Sequence, residues 1–197
     1  MSFSRWIAIV TLTLLPTMGF AQAPQSQIVP APAFHAATKV TFPDRIADAS
    51  RTRSIDYGKS YNEPRLGQSW HYQVPQTLSA SIYLYTLGQT AIPNGATAAA
   101  VLQQFQQSQG ELSQSGKYER VAVLKGPADC VVGSMTFRCV VETGTVVSTR
   151  SADKLQLLVT GFRNHFLKVR LDWHQNSPQG DAAAERFLQA LASQVLR

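Results

Sequence analysis

Residues 154–173, KLQLLVTGFRNHFLKVRLDW, form the stretch that most constrains the fold of this chain. Both halves of the stretch are rich in leucine, β-branched and aromatic residues, which suit a pleated, half-buried strand. Arg163 and Asn164 separate the halves, and asparagine tolerates the left-handed backbone that tight hairpin loops require. The stretch therefore predicts an antiparallel hairpin.

The loop length of this hairpin decides which side chains share a face of the sheet. A loop of two residues would pair Val159 with Lys168, whereas a loop of three that includes His165 would pair Val159 with Val169. The longer loop also aligns the pairs Leu157–Leu171, Leu155–Trp173 and Phe162–Phe166. Because it gathers one coherent apolar set for burial, we predict the three-residue loop.

A second hairpin is predicted upstream, over residues 68–87. Its first half alternates, with Trp70 and Tyr72 on the same side, and its second half alternates in the same way from Leu78 onward. The segment 75–77 between the halves begins with proline and supplies a turn. Two β-rich runs with so short a connection predict antiparallel pairing.

Two other segments follow the helical period of 3.6 residues instead. Residues 96–113 place four glutamines mostly opposite an apolar stripe formed by Ala98, Val101, Leu102, Phe105 and Leu112. Near the C-terminus, Ser177 or Asp181 can cap a helix. The apolar stripe of that helix is Ala184, Phe187, Leu188, Leu191 and Val195. Both stripes predict helices that pack on a sheet.

Further strands are predicted between the helices, at 118–125, 131–142 and 145–149, with a turn at 126–129. Strands this close together leave no room for crossover helices, so they pair antiparallel. The order of elements predicts an α+β fold, in which an antiparallel β-sheet of about six to eight strands is covered by two amphipathic helices as an α-β-α sandwich. Residues 40–197 are predicted to form this single domain.

The N-terminus has the pattern of a secretory signal peptide over residues 1–21. Arg5 is its only charged residue, an apolar run spans 6–15, and Ala21 offers a small residue for cleavage. An uncleaved anchor is the alternative, but it would need about 20 apolar residues. Residues 22–39, rich in proline, alanine and glutamine, predict a disordered leader. We therefore expect Sec export to the periplasm with a cleaved signal peptide.

The N-terminal pattern excludes two other export routes. No cysteine lies near the cleavage position, so the protein is not predicted to be a lipoprotein. No arginine pair precedes the apolar run, which argues against twin-arginine export.

Cys130 and Cys139 are the two cysteines of the chain. In an oxidising compartment an even number of cysteines in a small domain predicts a disulfide bond. The eight residues between them differ from the C-x-x-C spacing of catalytic dithiols. We predict a structural disulfide, and a pair of free thiols or a redox pair are the alternatives.

The composition excludes several classes of protein. With 44% hydrophobic and 15% charged residues among 197, the chain is neither wholly disordered nor multispanning. The net charge of +6 comes from single Lys and Arg residues without runs, and a periplasmic location argues against nucleic acid as a partner. No cofactor or metal site is predicted, because catalytic motifs are missing and His35, His71, His165 and His174 lack metal-site spacing.

Two groups of residues are candidates for a binding surface. Lys168, Arg170, Asp172 and His174 alternate along one strand and so share a face, where Asp172 could orient His174 as a general base. The alternative is an ordinary solvated strand face. The second group contains the aromatic residues of the upstream hairpin, Trp70, Tyr72, Tyr83 and Tyr85. These either line a groove for a peptide, glycan or lipid, or belong to the core.

Several stretches within residues 57–173 resemble small exported proteobacterial proteins of unassigned role. They are SIYLYTLG at 81–88 with IPNG at 92–95, and LVTG at 158–161 with HFLKVR at 165–170. The order of elements is also similar to the PsbP-like α-β-α sandwich. This resemblance implies an antiparallel sheet covered by helices, in a class whose members are mostly non-catalytic accessory or binding proteins.

Three hypotheses of function follow. The first is a soluble periplasmic, non-enzymatic protein that binds or supports an envelope protein, peptide or glycan, through a patch or pocket beside one of the candidate groups. The second is a small periplasmic hydrolase or isomerase that uses His71 or His174 with a carboxylate. The third is a structural or stress protein with no small-molecule ligand, which would have no sizeable pocket.

Overall fold

The computed structural model of the protein describes residues 28–197. Within them the chain forms ten strands: β1 Phe34–His35, β2 Val40–Thr41, β3 Arg45–Ile46, β4 Ala49–Asp56, β5 Gln68–Val74, β6 Leu78–Tyr85, β7 Tyr118–Val132, β8 Met135–Val146, β9 Ala152–Phe162 and β10 His165–His174. The helices of this range are α1 Tyr57–Ser60, α2 Ala99–Gln114 and α3 Pro178–Gln194, with a 3₁₀ turn at Pro64–Leu66.

Eight of these strands form one antiparallel sheet with the order β3-β4-β5-β6-β10-β9-β8-β7, while β1 pairs with β2 in a separate hairpin. The predicted α+β fold with an antiparallel sheet is confirmed. Strand β10 lies between β6 and β9. The last predicted strand is therefore a direct neighbour of the upstream hairpin.

Helix α3 covers one face of the sheet. Ser177 caps the helix, because its hydroxyl accepts a hydrogen bond from the backbone N–H of Gly180 at 2.9 Å. Asp181, the alternative cap, instead accepts a hydrogen bond from the Trp173 indole at 2.8 Å. Phe187 packs in the larger apolar cluster, together with residues from most strands of the sheet.

Helix α2 packs on the opposite face, above β8, β9 and β10. Val101 and Phe105 are buried there in a second cluster that includes Val140, Leu157 and Phe166. The central strands are therefore covered on both faces, which gives β9 and β10 nearly continuous buried sequences.

The register of the β9–β10 hairpin differs from the prediction. Val159 pairs with Lys168, and the loop consists of Arg163 and Asn164 alone, with φ values of 48° and 62°. Two consecutive positive φ values are typical of the type I′ turn, whose twist matches that of the strands. Asn164 is held in place because its Oδ1 accepts a hydrogen bond from the Ile92 N–H at 2.8 Å. The predicted three-residue loop was wrong because it assumed one apolar face, whereas α2 and α3 cover both.

Strand β7 forms one edge of the sheet and continues through the turn predicted at 126–129. Its pairing with β8 contains three register shifts. Gly126 adopts a φ of 92°, and a Cβ atom there would lie 2.8 Å from the Cys139 carbonyl oxygen. These irregularities let the strand bend past residues that otherwise predict a turn.

Cys130 and Cys139 lie on these two strands, with their sulfur atoms at disulfide distance and their Cα atoms 6.0 Å apart. Cys139 is buried in the larger apolar cluster, which lies between α3 and the sheet and is called the α3-side core below. Cys130 packs against that cluster. The hairpin itself brings the two residues together, because Cys130 pairs with Phe137. The fold therefore places the two residues as the predicted disulfide requires.

Residues 28–39 do not form the disordered leader that their composition predicts. His35 is buried, and the β1–β2 hairpin contributes to the α3-side core. The Trp70 indole N–H donates a hydrogen bond to the Pro32 carbonyl at 2.9 Å. The prediction was wrong because a proline-rich segment still offers carbonyl acceptors, and this one satisfies a polar atom of a fully buried side chain. The domain therefore begins before residue 40.

The predicted signal peptide, residues 1–21, and residues 22–27 lie outside the described part of the chain. Within residues 28–197, no helix has both the length and the apolar character needed to cross a membrane.

Candidate ligand-binding cleft

The aromatic residues of the β5–β6 hairpin do not form one surface. Trp70 and Tyr72 face α3, and neither side chain is accessible to solvent. The Tyr72 hydroxyl donates a hydrogen bond to the Pro43 carbonyl at 2.8 Å. These two residues belong to the core, so assigning them to a binding surface was wrong. Alternation along a strand separates the two faces without showing which face a helix will cover.

Tyr83 and Tyr85 lie on the opposite face, together with α2. Tyr85 is 6% exposed and packs against Phe166, with 5.6 Å between ring centroids, so it is also a core residue rather than a surface residue. Tyr83 is partly exposed and lines a cleft beside the helix. Of the four predicted aromatic residues, Tyr83 is the one that lines this cleft.

Lys168 pairs with Tyr83 across β10 and β6, and it is buried rather than solvated. Its Nζ lies 3.2 Å from Glu111 Oε2 on α2, and 5.0 and 5.3 Å from the ring centroids of Tyr83 and Tyr85. Burial, assisted by the nearby Arg170, lowers the pKa of Lys168 to about 8. The ammonium group is thus engaged inside the protein, and Lys168 does not act as a surface residue.

Arg170 shares the same carboxylate. Its Nη2 donates to Glu111 Oε2 at 3.1 Å and to the Ser108 carbonyl at 2.7 Å. Both bonds leave from one nitrogen, and neither Nη1 nor Nε makes a hydrogen bond to the described residues. Because the side chain also lines the cleft, Arg170 keeps donors that a ligand can use.

Asp172 lies in the same cleft and is already paired. Lys117 Nζ donates to its Oδ2 at 3.0 Å, and the Tyr118 hydroxyl lies 3.4 Å from the same oxygen. Burial, together with Asp172, raises the pKa of Tyr118 to about 12, so its hydroxyl remains a neutral donor. Asp172 therefore anchors Lys117 and Tyr118 at one side of the cleft.

His174 lies outside the cleft and is not oriented by Asp172. Its side chain is 63% exposed, and its Nδ1 is 3.2 Å from the Ala152 carbonyl oxygen. The carboxylate near it belongs to Asp153, at 4.0 Å, which is beyond hydrogen-bond distance. The acid–base pair suggested by strand spacing is not formed.

The cleft lies between the C-terminal half of α2 and the sheet, and its volume is about 220 Å³. Its floor crosses four strands in the order β6, β10, β9 and β8. Hydroxyl groups line much of it, from Ser79, Ser81, Ser108, Ser115, Tyr83 and Tyr118. The apolar part of the lining includes Leu112, Leu155 and Leu157.

Glu142 is a cleft residue that the sequence analysis missed. It lies on β8, is 4% exposed, and its Oε1 accepts a hydrogen bond from Gln109 Nε2 at 2.7 Å. No cationic side chain of the described residues forms an ion pair with it. The signal in the sequence was a single glutamate within the β-rich run 140–143, VVET. Its environment depends on α2 and on neighbouring strands, which that run does not specify.

His71 lies between two serines on the α2 face of β5 and β6. Its Nδ1 is 2.8 Å from Ser81 Oγ, and its Nε2 is 2.9 Å from Ser69 Oγ. Burial, assisted by Arg53, lowers the pKa of His71 to about 4. Both ring nitrogens are occupied by serines, so among the described residues no carboxylate orients this histidine.

The other two histidines meet at one end of the sheet, although they are distant in sequence. The rings of His35 and His165 are perpendicular, with centroids 5.1 Å apart, beside Asp56 in a depression of about 400 Å³. Burial, followed by the proximity of His165, lowers the pKa of His35 to about 4. Within residues 28–197, no group of three His, Cys, Asp or Glu side chains is placed to hold a metal ion.

Comparison of the chain with known protein families, with curated proteins and with solved structures finds no match. The similarity to PsbP-like sandwiches stays a prediction drawn from the sequence.

Proposed function

We propose that the protein is an exported, non-enzymatic binding protein of the cell envelope whose cleft beneath α2 takes a small polar ligand. One observation carries this proposal: Tyr83, from the aromatic group, meets Arg170 and Asp172, from the charged group, in a single cleft. They meet because β6 pairs directly with β10. A concave site with apolar lining and a few convergent polar groups is typical of small-molecule binding.

The histidines fit a binding role better than catalysis. A pKa of about 4 makes His71 a weak general base at neutral pH, although it contacts Ser81 of the cleft. His174 is exposed and lies outside the cleft. A hydrolase or isomerase would need one of them beside a carboxylate, and their hydrogen bonds go to serines and a backbone carbonyl.

The cleft also favours binding over a purely structural role. A structural or stress protein has no need of a concave site lined by several hydroxyl-bearing residues and by an arginine with unpaired guanidinium donors. Its volume of about 220 Å³ suits a small molecule better than a protein surface.

Export is supported by the pattern at residues 1–21 and is compatible with Cys130 and Cys139 at disulfide distance. Fractionation of producing cells, followed by N-terminal sequencing, tests it. We expect periplasmic protein that begins at Gln22. Full-length protein in the cytoplasm would contradict export, and full-length protein in the membrane fraction would indicate the uncleaved anchor instead of cleavage.

The binding proposal is tested by NMR titration of the purified protein with a panel of monosaccharides, amino acids, dipeptides and short-chain fatty acids. We expect at least one class of compound to shift the backbone signals of Ser81, Tyr83 and Arg170 saturably. If no class does so, the cleft is not a ligand site and the proposal fails.

A pair of substitutions locates the binding. Ser79 lines the cleft, so Ser79→Trp should fill it and weaken binding at least tenfold. Ser50 lies exposed on β4 outside the cleft, so Ser50→Trp should leave affinity within twofold. Equal affinities for the two variants would show that the ligand binds elsewhere.

A further inference from the structure

Charge is distributed unevenly around the cleft. Lys168 and Arg170 share the one carboxylate of Glu111, so positive charge is in excess there. Glu142 lines the same cleft and has no ion-pair partner among the described residues, so negative charge is in excess at its position. The remaining pair, Lys117 with Asp172, is balanced. The cleft therefore has a positive pole at Arg170 and a negative pole at Glu142.

The positive pole can bind a carboxylate. Nη1 and Nε of Arg170 make no hydrogen bond to described residues, since both of its bonds leave from Nη2. A guanidinium group presents its N–H donors in a planar fork that matches the two oxygens of a carboxylate. Lys168 adds positive charge behind this fork without reaching the cleft.

The negative pole can bind an ammonium group. Glu142 is 4% exposed, and its one described hydrogen bond, from Gln109, goes to Oε1. Burial of a carboxylate without a cation is costly, because the charge loses its hydration and gains no counter-charge. A ligand that presents N–H donors and a positive charge to Oε2 compensates for that loss.

The sheet sets the distance between the poles. Glu142 pairs with Leu155, and Arg170 pairs with Leu157, so the two charged residues lie on the strands that flank β9. Two strand spacings place their Cα atoms about 10 Å apart across the sheet, with a further offset of about two residues along it. Both side chains line the cleft, and Leu155 and Leu157 line it between them.

We infer that the cleft binds a small zwitterion of the amino-acid type, with its ammonium group at Glu142, its carboxylate at Arg170 and its apolar side chain against Leu155 and Leu157. This inference rests on the proposed binding function and adds the class of ligand. A neutral saccharide would leave both poles without a counter-charge. A fatty acid would satisfy Arg170 and leave Glu142 buried and unpaired.

Calorimetric titration of the unmodified protein with three probes tests the inference. L-leucine has both charged groups, L-leucine methyl ester lacks the carboxylate, and 4-methylpentanoate lacks the ammonium group. We expect L-leucine to bind at least tenfold more tightly than either analogue. If L-leucine binds no better than its analogues, or does not bind, the inference of a zwitterionic ligand is overturned.

Substitution at the poles assigns each charge. Glu142→Gln keeps an acceptor for Gln109 and should lower the affinity for L-leucine at least tenfold. The affinity for 4-methylpentanoate should change less than twofold. Arg170→Gln should lower the affinity for 4-methylpentanoate and for L-leucine alike. Glu185→Gln, on an exposed position of α3, is the matched control and should leave all affinities unchanged. Unaltered L-leucine affinity in Glu142→Gln would overturn the role of Glu142.

The NMR panel distinguishes a failure of the proposed binding function from a failure of the inferred ligand class. If another class in the NMR panel shifts the cleft signals and L-leucine does not, the binding function stands and the zwitterion is rejected. If no compound shifts those signals, both are rejected. The comparison of probes uses unmodified protein, so it decides the ligand class even where a variant does not fold.

Discussion

Phe42 stacks on Trp70, with ring centroids 3.7 Å apart and ring planes inclined by 15°. Neither side chain is accessible to solvent. The contact joins the segment that precedes β3 to the centre of β5. The N-terminal part of the domain is therefore a component of the core rather than an appendage.

Replacing Phe42 with alanine tests this contribution. We expect Phe42→Ala to lower the free energy of unfolding by about 3–5 kcal/mol, because it leaves a cavity against Trp70. Urea denaturation followed by tryptophan fluorescence measures the change. Phe34 is 47% exposed in the same segment, and Phe34→Ala should change stability by less than about 0.5 kcal/mol. Similar losses in both variants would contradict a core role specific to Phe42.

Gly161 is expected to tolerate no side chain. A Cβ atom there would lie 1.8 Å from the Pro93 carbonyl oxygen, where Gly95 and Gly161 exchange backbone hydrogen bonds. We expect Gly161→Ala to destabilise the protein by about 1–3 kcal/mol, because the backbone must move. Gly110 in α2 has open space around it, so Gly110→Ala should stabilise by about 0.5–1 kcal/mol. Thermal unfolding of both variants checks the prediction, which is wrong if the two changes share a sign.

Stability should decline on mild acidification. His35 and His71 have a pKa of about 4 in the folded protein, below the ordinary value of 6.5. Between these values the unfolded chain binds more protons than the folded protein, so the contribution is present above pH 6.5 and is lost as the pH falls towards 4. With allowance for solvent screening, we expect a loss of roughly 2 kcal/mol per histidine.

Urea unfolding at a series of pH values between 7 and 4 measures this decline. Replacing either His35 or His71 with glutamine should make the dependence on pH shallower. Profiles that are identical in the variants and the parent protein would show that other groups cause the loss.

The cysteine pair should respond to reduction. A disulfide bond between Cys130 and Cys139 would close a loop of about ten residues. Closing such a loop stabilises a fold by about 2.5 kcal/mol in the chain-entropy treatment. We expect dithiothreitol to lower the midpoint of thermal unfolding. A double variant with alanine at Cys130 and Cys139 should be insensitive to the reductant. An unchanged midpoint in the parent protein would indicate free thiols.

The sequence was sufficient to predict the β5–β6 and β9–β10 hairpins and both long helices. The β7–β8 hairpin was not predicted, because its turn lies at 133–134 and not at 126–129. Alternation over 68–87 and 154–173 and the 3.6-residue period over 96–113 are local patterns, set by how side chains project from strands and helices. The α+β class followed from the order of these elements. Residues 28–39 could not be placed from composition, because their ordering depends on partners such as Trp70 that are far along the chain.

The cleft was only partly predictable. Tyr83, Arg170 and Asp172 could be selected as a surface aromatic and surface charges, yet nothing local showed that Trp70 and Tyr72 would be buried instead. The local signal for Glu142 was no more than a single glutamate within a β-rich run. Its proposed role depends on an ion-pair balance among residues from α2, β8 and β10, which meet only in the folded sheet.

By itself, the sequence determined the β5–β6 and β9–β10 hairpins and the two long helices, where an export signal is predicted and which two cysteines can pair. These features depend on spacing within short segments, so they are readable without knowledge of the rest of the chain. The tertiary structure alone decided the register of β9 with β10 and the composition of the cleft. The physical reason is that a strand has two faces, and which face needs apolar residues depends on the helices that cover it. Here α2 and α3 cover opposite faces of the same strands, so a polar side chain such as Lys168 is buried and Tyr83 becomes part of a candidate site.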